Sequence, residues 1–111
     1  MKEENAKAQM RKGMLEFCIL LMLRLHEAYT GDILKTLQEH GLLVVEGTLY
    51  PLLSRLKKEG ILTYRWEEST QGPPRKYFTL TNYGRIRLEE LTSAWNELET
   101  VVNNLKNRLP S

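Results

Sequence analysis

The polar and apolar positions near the start of the chain repeat with the period of an α-helix. Residues 8–26 carry apolar side chains three or four positions apart, at Met10, Met14, Phe17, Cys18, Leu21, Met22 and Leu25. This spacing predicts a helix with one core-facing stripe. Further apolar residues fill its other sides, so the helix is expected either to be deeply buried or to be covered on two faces, with another subunit as the second cover. Residues 1–7, which are mostly polar, are expected to be frayed.

A shorter helical stripe follows, formed by Ile33, Leu34 and Leu37. Thr30 is expected to be its N-cap, and the helix is expected to end at His40-Gly41. Residues 42–45 are an apolar connector to the next helix. The order of helix, short helix, connector and third helix is typical of a helix-turn-helix unit.

The third helix has one apolar face and one polar face that lacks acids. Leu49, Leu52, Leu53 and Leu56 form the apolar stripe. The opposite face carries hydroxyls, an aromatic ring and cations: Thr48, Tyr50, Pro51, Ser54, Arg55 and Lys58. With Thr48 as N-cap, Pro51 falls in the first turn, where its missing N–H has no helical partner to lose. Gly60 is expected to end the helix in the left-handed conformation.

After Gly60 the period of the pattern changes to two. Apolar and polar residues alternate over residues 62–67 and again over 75–81, which predicts two strands. Residues 69–74 include Gly72, Pro73 and Pro74 and are predicted to form the loop between them. A hairpin directly after a polar-faced helix predicts a wing. Arg75 and Lys76 stand where a wing would meet phosphates or a minor groove.

The last segment shows a seven-residue repeat. After Thr81, the expected N-cap, apolar residues recur at steps of three and four, at Leu88, Leu91, Trp95, Leu98, Val102, Leu105 and Leu109. Such a seam needs a partner helix, and self-association is the favoured interpretation. The fold class is therefore predicted to be mainly α with a small β-hairpin wing (α+β). A winged helix-turn-helix domain would cover residues 8–81, and a C-terminal dimerisation helix would cover 82–109.

The distribution of charge supports a nucleic-acid partner more than the total does. The net charge is only +2 over 111 residues. Between residues 54 and 87, however, eight lysines and arginines face three glutamates, which is a localised basic footprint. Cys18, the single cysteine, excludes an intramolecular disulfide and is expected to be a buried small hydrophobe. The apolar run over 17–23 is too short to span a membrane, and no signal pattern precedes it, so the cytoplasm is expected.

Chemistry-bearing residues do not combine into a catalytic or metal site in the sequence. His26 and His40 have no cysteine or acid at ligand spacing. Glu89 and Glu90 are adjacent on a helix and point in different directions. No phosphate-binding glycine loop or nucleophile motif is present. We therefore expect no metal, no cofactor and no enzyme activity.

Several stretches resemble the PadR family of bacterial transcriptional regulators. They are Lys12-Gly13, the run Gly47-Thr48-Leu49-Tyr50-Pro51-Leu52-Leu53, the run from Leu56 to Leu62, the run from Pro74 to Thr81, and Gly84. The resemblance extends from Arg11 to Leu105 and is to the shorter branch of the family, which has one C-terminal dimerisation helix. Tyr29-Thr30-Gly31 also resembles the family pattern, although Asp32 replaces the aromatic residue that commonly follows.

The resemblance implies a homodimer that represses nearby genes until a small, often aromatic, ligand or a stress signal relieves the repression. Trp95 matches the tryptophan that sandwiches flat aromatic drugs in some short-branch relatives. It is therefore the first candidate for an effector site, although a purely packing role is an equal alternative. Phe17 and Met10 on the first helix are weaker candidates, because ligand pockets are mostly apolar.

The expected mechanism is insertion of the third helix into the major groove of double-stranded DNA. Thr48 and Tyr50 would contact phosphates or base edges, and Ser54 and Arg55 would extend the contact, with Arg55 as a candidate bidentate partner of guanine. A dimer would present two such helices to a pseudo-palindromic operator.

Two alternatives remain open. One is a winged-helix module that binds proteins and not DNA. The other is RNA binding by stacking on Tyr64, Trp66 and Tyr77. The bland interpretation of the third helix is a solvated amphipathic helix.

Overall fold

The computed structural model describes residues 2–110, with side-chain surroundings from Ala6 onward. Its elements are α1 (Lys2–Arg11), α2 (Met14–Leu25), α3 (Thr30–Glu39), α4 (Glu46–Lys58), β1 (Leu62–Ser69), β2 (Gly72–Leu80) and α5 (Asn82–Lys106). The predicted fold class is confirmed: the chain is mainly helical, with one two-stranded antiparallel hairpin and a long last helix.

The start of the chain differs from the prediction. The expected single helix over 8–26 is two helices, and the expected frayed segment is already helical from Lys2; Met1 lies outside the described residues. Gly13 separates α1 from α2 in the left-handed conformation, at φ 84°, which side chains with a Cβ rarely adopt. Lys7 Nζ donates to the Gly41 carbonyl at 3.1 Å and Arg11 to the Leu43 carbonyl at 3.0 Å. Polar contacts to the connector therefore hold α1, which the apolar pattern could not reveal.

The core-facing side of α2 was predicted correctly only in part: Phe17 of the predicted stripe is buried, and Met14, Cys18 and Met22 pack against the core. The residues buried in the core are Phe17, Ile19, Leu20 and Leu23. The predicted stripe includes Leu21 and Leu25, which are exposed, Leu25 by 82%. Because α2 is apolar on nearly every side, its periodicity alone could not identify the core face. One apolar side of α2 is left uncovered in the single chain.

The apolar face of α4 is confirmed, but its start is not. Leu49, Leu53 and Leu56 are buried. The helix begins at Glu46, with Val45 before it, so the prediction of Thr48 as N-cap was wrong. Pro51 therefore lies in the second turn, where it removes the N–H that would bond to the Gly47 carbonyl. Both residues are exposed, so solvent can reach that carbonyl. In the same way, Thr30 is the first residue of α3 and not its cap.

The wing is confirmed, with a tighter turn than predicted. Trp66 pairs with Lys76 and Tyr64 with Phe78 across the hairpin. Pro73 and Pro74 belong to β2 and not to a loop; they lie where the register shifts between the pairs Glu67–Arg75 and Ser69–Gly72. Such an irregularity tolerates residues without an N–H. Ala28 exchanges two backbone hydrogen bonds with Phe78, at 3.2 and 2.8 Å. It thus forms a single antiparallel bridge to β2 from the segment before α3.

The junction between hairpin and α5 is held by Thr81. Its hydroxyl accepts a hydrogen bond from the Gly84 N–H at 2.9 Å, which confirms Thr81 as N-cap. The Thr81 N–H donates to the Ile61 carbonyl at 3.1 Å. Leu88 in the following turns is buried in the core. Beyond Leu91 the heptad positions of α5 are exposed.

The close approach at Gly84 gives a stability prediction. A Cβ on Gly84 would lie 2.1 Å from the Ile61 carbonyl oxygen, a backbone atom that can move only with the end of the hairpin. We expect Gly84→Ala to destabilise the fold by about 1–3 kcal/mol, as overpacking does. Urea denaturation followed by circular dichroism would measure the change.

Gly47→Ala is the matched control, because Gly47 is also helical and a Cβ there meets nothing within 4 Å. Removing a helical glycine should raise stability by about 0.5–1 kcal/mol. Equal effects of the two substitutions would contradict the role assigned to the close approach of Gly84 to Ile61.

Candidate nucleic-acid interface

A cleft of about 510 Å³ separates α4 from the wing, with the first residues of α3 at its side. Its walls combine aromatic rings, prolines, a hydroxyl and two cations, and they include Tyr29, Tyr50, Ser54, Trp66, Pro73, Pro74, Arg75 and Lys76. Glu46 at the start of α4 is an acid in the same lining. The cleft is therefore suited to an anionic, partly flat partner.

The structure brings together half of the residues predicted to bind DNA. All eight are exposed. Tyr50, Ser54, Arg75 and Lys76 line the cleft. Thr48 and Arg55 line a different hollow, of about 600 Å³, between α4 and the junction of α1 with α2. Pro51 and Lys58 lie on α4 outside both linings.

One face of the wing supports Lys76 on aromatic rings. The Nζ atom of Lys76 lies 4.6 Å from the ring centre of Tyr64 and 5.2 Å from that of Trp66. The two rings meet edge to face, with centres 5.9 Å apart. Trp66 is nevertheless 60% exposed. A cation held over aromatic faces in this way is restricted in position while its charge stays accessible.

The other face of the wing supports Arg75. Its guanidinium lies 4.3 Å from the ring centre of Tyr29, and Tyr29 contacts Tyr77 with ring centres 5.6 Å apart. Gly31 leaves room for this ring, because a Cβ there would lie 2.6 Å from Tyr29 Cε2 and the ring would have to shift. The Tyr-Thr-Gly sequence thus places an aromatic support under a wing cation.

An ion pair ties the same face of the wing to the segment before α3. Arg65 donates to both carboxylate oxygens of Glu27 and to Glu67. The hydrogen bonds from Arg65 lower the pKa of Glu27, and those to Glu27 raise the pKa of Arg65. Because the pKa of Glu27 is lower when folded than when unfolded, the pair favours the folded chain above the ordinary glutamate pKa. That contribution is lost as pH falls through the lowered value.

Arg55 is engaged by carboxylates of its own chain. Its Nη1 donates to both oxygens of Glu59 at 3.0 Å, and its Nη2 donates to Glu16 at 3.2 Å. Hydrogen bonding to Glu16, and then to Glu59, raises the pKa of Arg55. Arg87 on α5 donates to the other oxygen of Glu16 at 3.1 Å. Arg55 is therefore paired within its own chain, and to contact guanine it would have to leave these carboxylates.

The sequence did not assign Tyr29 to the interface, and it indicated Trp66 only as a candidate for stacking on RNA bases. The signal for Tyr29 was its place before Thr30-Gly31, but the stacking on Arg75 joins residues 46 positions apart in the chain. The signal for Trp66 was its alternation with polar residues, which did not reveal which side of the hairpin faces α4.

The three residues predicted for an effector lie in different surroundings. Phe17 is buried in the core, so a ligand could reach it only if the core opened. Met10 on α1 is exposed, and Trp95 on α5 is 39% exposed.

Cys18 is half-buried, and burial raises the pKa of its thiol.

Within residues 2–110, no helix is long and apolar enough to cross a membrane. Among the side chains described, from Ala6 to Pro110, no three histidine, cysteine or acidic residues come together as a metal site would require.

Residues 19–90 match the model of a protein family described as the transcriptional regulator PadR-like family. A PadR-like transcription factor from Bacteroides fragilis is 57% identical to this chain; the match covers 91% of this chain and 98% of that one, with a TM-score of 0.77. A PadR-like regulator from Bacillus cereus is 42% identical, over 87% and 95% of the two chains, with a TM-score of 0.80.

The fold is also similar to that of Bacillus subtilis PadR, whose structure was solved in complex with operator DNA. That protein is 28% identical to this chain, with a TM-score of 0.66. The match covers 71% of this chain and 45% of that one.

Proposed function

Because this chain belongs to the PadR-like family of transcriptional regulators, which are not enzymes, we propose that it is a dimeric repressor that reads a specific DNA sequence. The observation that carries the proposal is the cleft between α4 and the wing, where Arg75 and Lys76 present supported, accessible charges beside the polar face of α4. The likeness to a PadR protein solved with operator DNA supports the same partner.

The proposed contacts follow the geometry of the cleft. Tyr50 and Ser54 on α4 would contact base edges or phosphates in the major groove, as recognition helices do. Arg75 and Lys76 would attract phosphates beside it. Thr48, Pro51 and Lys58 are exposed on α4 and would flank these contacts. Residues 8–81 would act as the DNA-binding unit.

The proposed dimer rests on the exposed apolar positions of α5 and on Leu109, which follows the end of that helix at Lys106, all within residues 82–109. Trp95, Leu98, Val102, Leu105 and Leu109 are exposed in the single chain, and so are Leu21 and Leu25 on α2. Exposed apolar side chains repeated along one helix in this way are typical of an interaction site. A second copy that covers it would place two α4 helices about 34–36 Å apart, one turn of DNA, on a pseudo-palindromic operator.

The proposed effector is a small flat aromatic compound that binds beside Trp95 at this dimer seam and relieves repression. Trp95 is partly exposed on α5, where an aromatic ring could stack on it. Met10, which is exposed on α1, is a second candidate for contact with this compound. Phe17 would contact it only if the core opened.

The first prediction for this function concerns salt-dependent DNA binding. Fluorescence anisotropy should show tighter binding to the protein's own upstream DNA than to a scrambled duplex, with affinity falling by orders of magnitude as salt rises from about 50 to 200 mM. Lys76→Ala should reduce the salt slope by about one for each phosphate that the variant no longer neutralises. Lys106→Ala, which removes the same charge near the end of α5, should leave the slope unchanged.

Equal binding to both duplexes would point to a different operator. Binding to neither, or binding that salt does not weaken, would favour a protein-interaction module.

A second prediction uses the two tryptophans as separate reporters, since the chain contains only Trp66 and Trp95. In Trp95→Phe, the remaining Trp66 emission should change saturably on addition of upstream DNA, because Trp66 lines the cleft. In Trp66→Phe, the Trp95 emission should respond to a flat aromatic dye. A Trp66 signal that stays constant at saturating DNA would contradict its place at the interface. Unchanged dye affinity in Trp95→Ala would contradict the effector site.

A third prediction concerns the dimer. Val102→Glu places a charge in the middle of the exposed heptad and should shift the protein from dimer to monomer in sedimentation analysis, because the seam would have to bury that charge. Asn104→Glu introduces the same side chain two positions away, at a position that does not belong to the apolar seam, and should leave the dimer intact. A wild-type protein that sediments as a monomer would overturn the proposed dimer.

A further inference from the structure

Three helices meet at one carboxylate in this protein. Glu16, in the first turn of α2, accepts a hydrogen bond from Arg55 Nη2 at its Oε1 atom, 3.2 Å away. Its Oε2 atom accepts from Arg87 Nε at 3.1 Å. Only 13% of the Glu16 side chain is exposed, whereas both arginines are about half-exposed. The acid is thus the enclosed member of the cluster, and the cations come to it from α4 and α5.

The two cations lie on the helices to which the proposed function assigns DNA contact and dimerisation. Arg55 lies on α4, the helix beside the wing, and Arg87 lies on α5, the helix with the exposed heptad. In the packing of the chain, α4 contacts mainly α3 and β1, whereas α5 contacts mainly α2. Glu16 is therefore a direct polar link from α2 to both helices.

A polar link constrains these helices differently from apolar packing. Apolar burial is non-directional, so Leu53 or Leu88 can stay buried while a helix slides or rotates slightly. Hydrogen bonds between a planar guanidinium and a carboxylate fix direction as well as distance. Arg55 Nη2 is held by Glu16 on α2, and this link restricts rotation of α4 about its axis. The second partner, Glu59, is the next-turn neighbour of Arg55 and orients only the guanidinium.

We propose that Glu16 is a positioning residue for DNA recognition: it sets the orientation of α4 relative to α5, so that the geometry of the dimer determines which DNA site the two α4 helices fit. Arg55 then acts through Glu16 and does not read a base itself. This inference rests on the proposed function.

The test compares affinity for two duplexes, one enriched from a random pool by the wild-type protein and one scrambled. Glu16→Gln keeps the size of the side chain but removes the charge that faces both arginines. Arg87→Gln removes the link to α5 alone. In each variant, affinity for the enriched duplex should fall by about two- to thirty-fold, the range of residues in a coupling network. Affinity for the scrambled duplex at the same salt should change much less.

The two substitutions change the net charge in opposite directions, by +1 for Glu16→Gln and by −1 for Arg87→Gln. A purely electrostatic effect on DNA binding would therefore move their affinities apart. A positioning effect lowers the ratio of enriched to scrambled affinity in both. The double variant should lose no more than the more affected single variant, since both changes break one link.

Glu59→Gln is the matched control. Like Glu16→Gln, it replaces a glutamate by glutamine, changes the net charge by +1 and removes a partner of Arg55. Glu59, however, is the residue directly after α4, so its bond with Arg55 does not link α4 to another helix. It should leave the affinity ratio near that of the wild type. Circular dichroism and sedimentation would verify that each variant is folded and dimeric. Arg87 is half-exposed, so Arg87→Gln keeps the test valid even if Glu16→Gln fails to fold.

The outcomes separate this inference from the proposed function. A wild-type protein that enriches no duplex overturns the proposed function, and the role of Glu16 with it. Clear wild-type preference, together with unchanged affinity ratios in Glu16→Gln and Arg87→Gln, overturns the positioning role alone. Equal losses in Glu16→Gln and Glu59→Gln, with Arg87→Gln unaffected, would assign the effect to Arg55 within α4 and also overturn it.

Discussion

The structure depends on one backbone junction, where the end of α4, the base of the wing and the start of α5 meet. The Ile61 N–H donates to the Leu56 carbonyl at 2.9 Å and so ends α4, while the Ile61 carbonyl accepts from Thr81. The Thr81 hydroxyl donates to the Gly60 and Ile61 carbonyls and caps α5. Gly60, at φ 79°, allows the tight reversal before the strand. Because Gly84 has no Cβ, α5 can begin directly against Ile61. The three elements on which the proposed function rests are therefore joined by a few hydrogen bonds.

The wing extends from this junction with little apolar burial of its own. Phe78 and Leu80 are buried near its base, but a two-stranded hairpin is marginal by itself. Along its length, cations stack on aromatic rings on both faces, and Arg65 is paired with Glu27. These contacts order the hairpin through the same side chains that give it positive charge. Stability and electrostatic attraction are thus supplied together, which explains why an exposed surface holds so many aromatic residues.

The sequence was informative where structure follows from local periodicity. The stripe of α4, the two strands, the cap at Thr81 and the exposed heptad of α5 all depend on neighbours within a few positions. It was uninformative where the decisive contact is distant. The contacts of Lys7 and Arg11 with the connector hold a polar α1 that has no apolar stripe. The pairing of Arg55 with Glu16 spans 39 positions, so the sequence did not reveal that this arginine is paired within its own chain. Pro73 and Pro74 were assigned to a loop because the register shift that accommodates them is a property of two strands.

The same contacts limit how a signal at α5 could reach α4. The backbone junction fixes the first turn of α5 to the end of α4, and Glu16 adds a second attachment one turn further, at Arg87. Two attachments at separate points resist both bending and twisting between the helices. A change at the exposed part of α5 should therefore move the whole DNA-binding unit and leave its internal shape unchanged. In the proposed dimer, such rigid-body rotation would change the separation of the two α4 helices. A small ligand at the dimer seam would then change how the two α4 helices fit a DNA site without contacting the cleft between α4 and the wing.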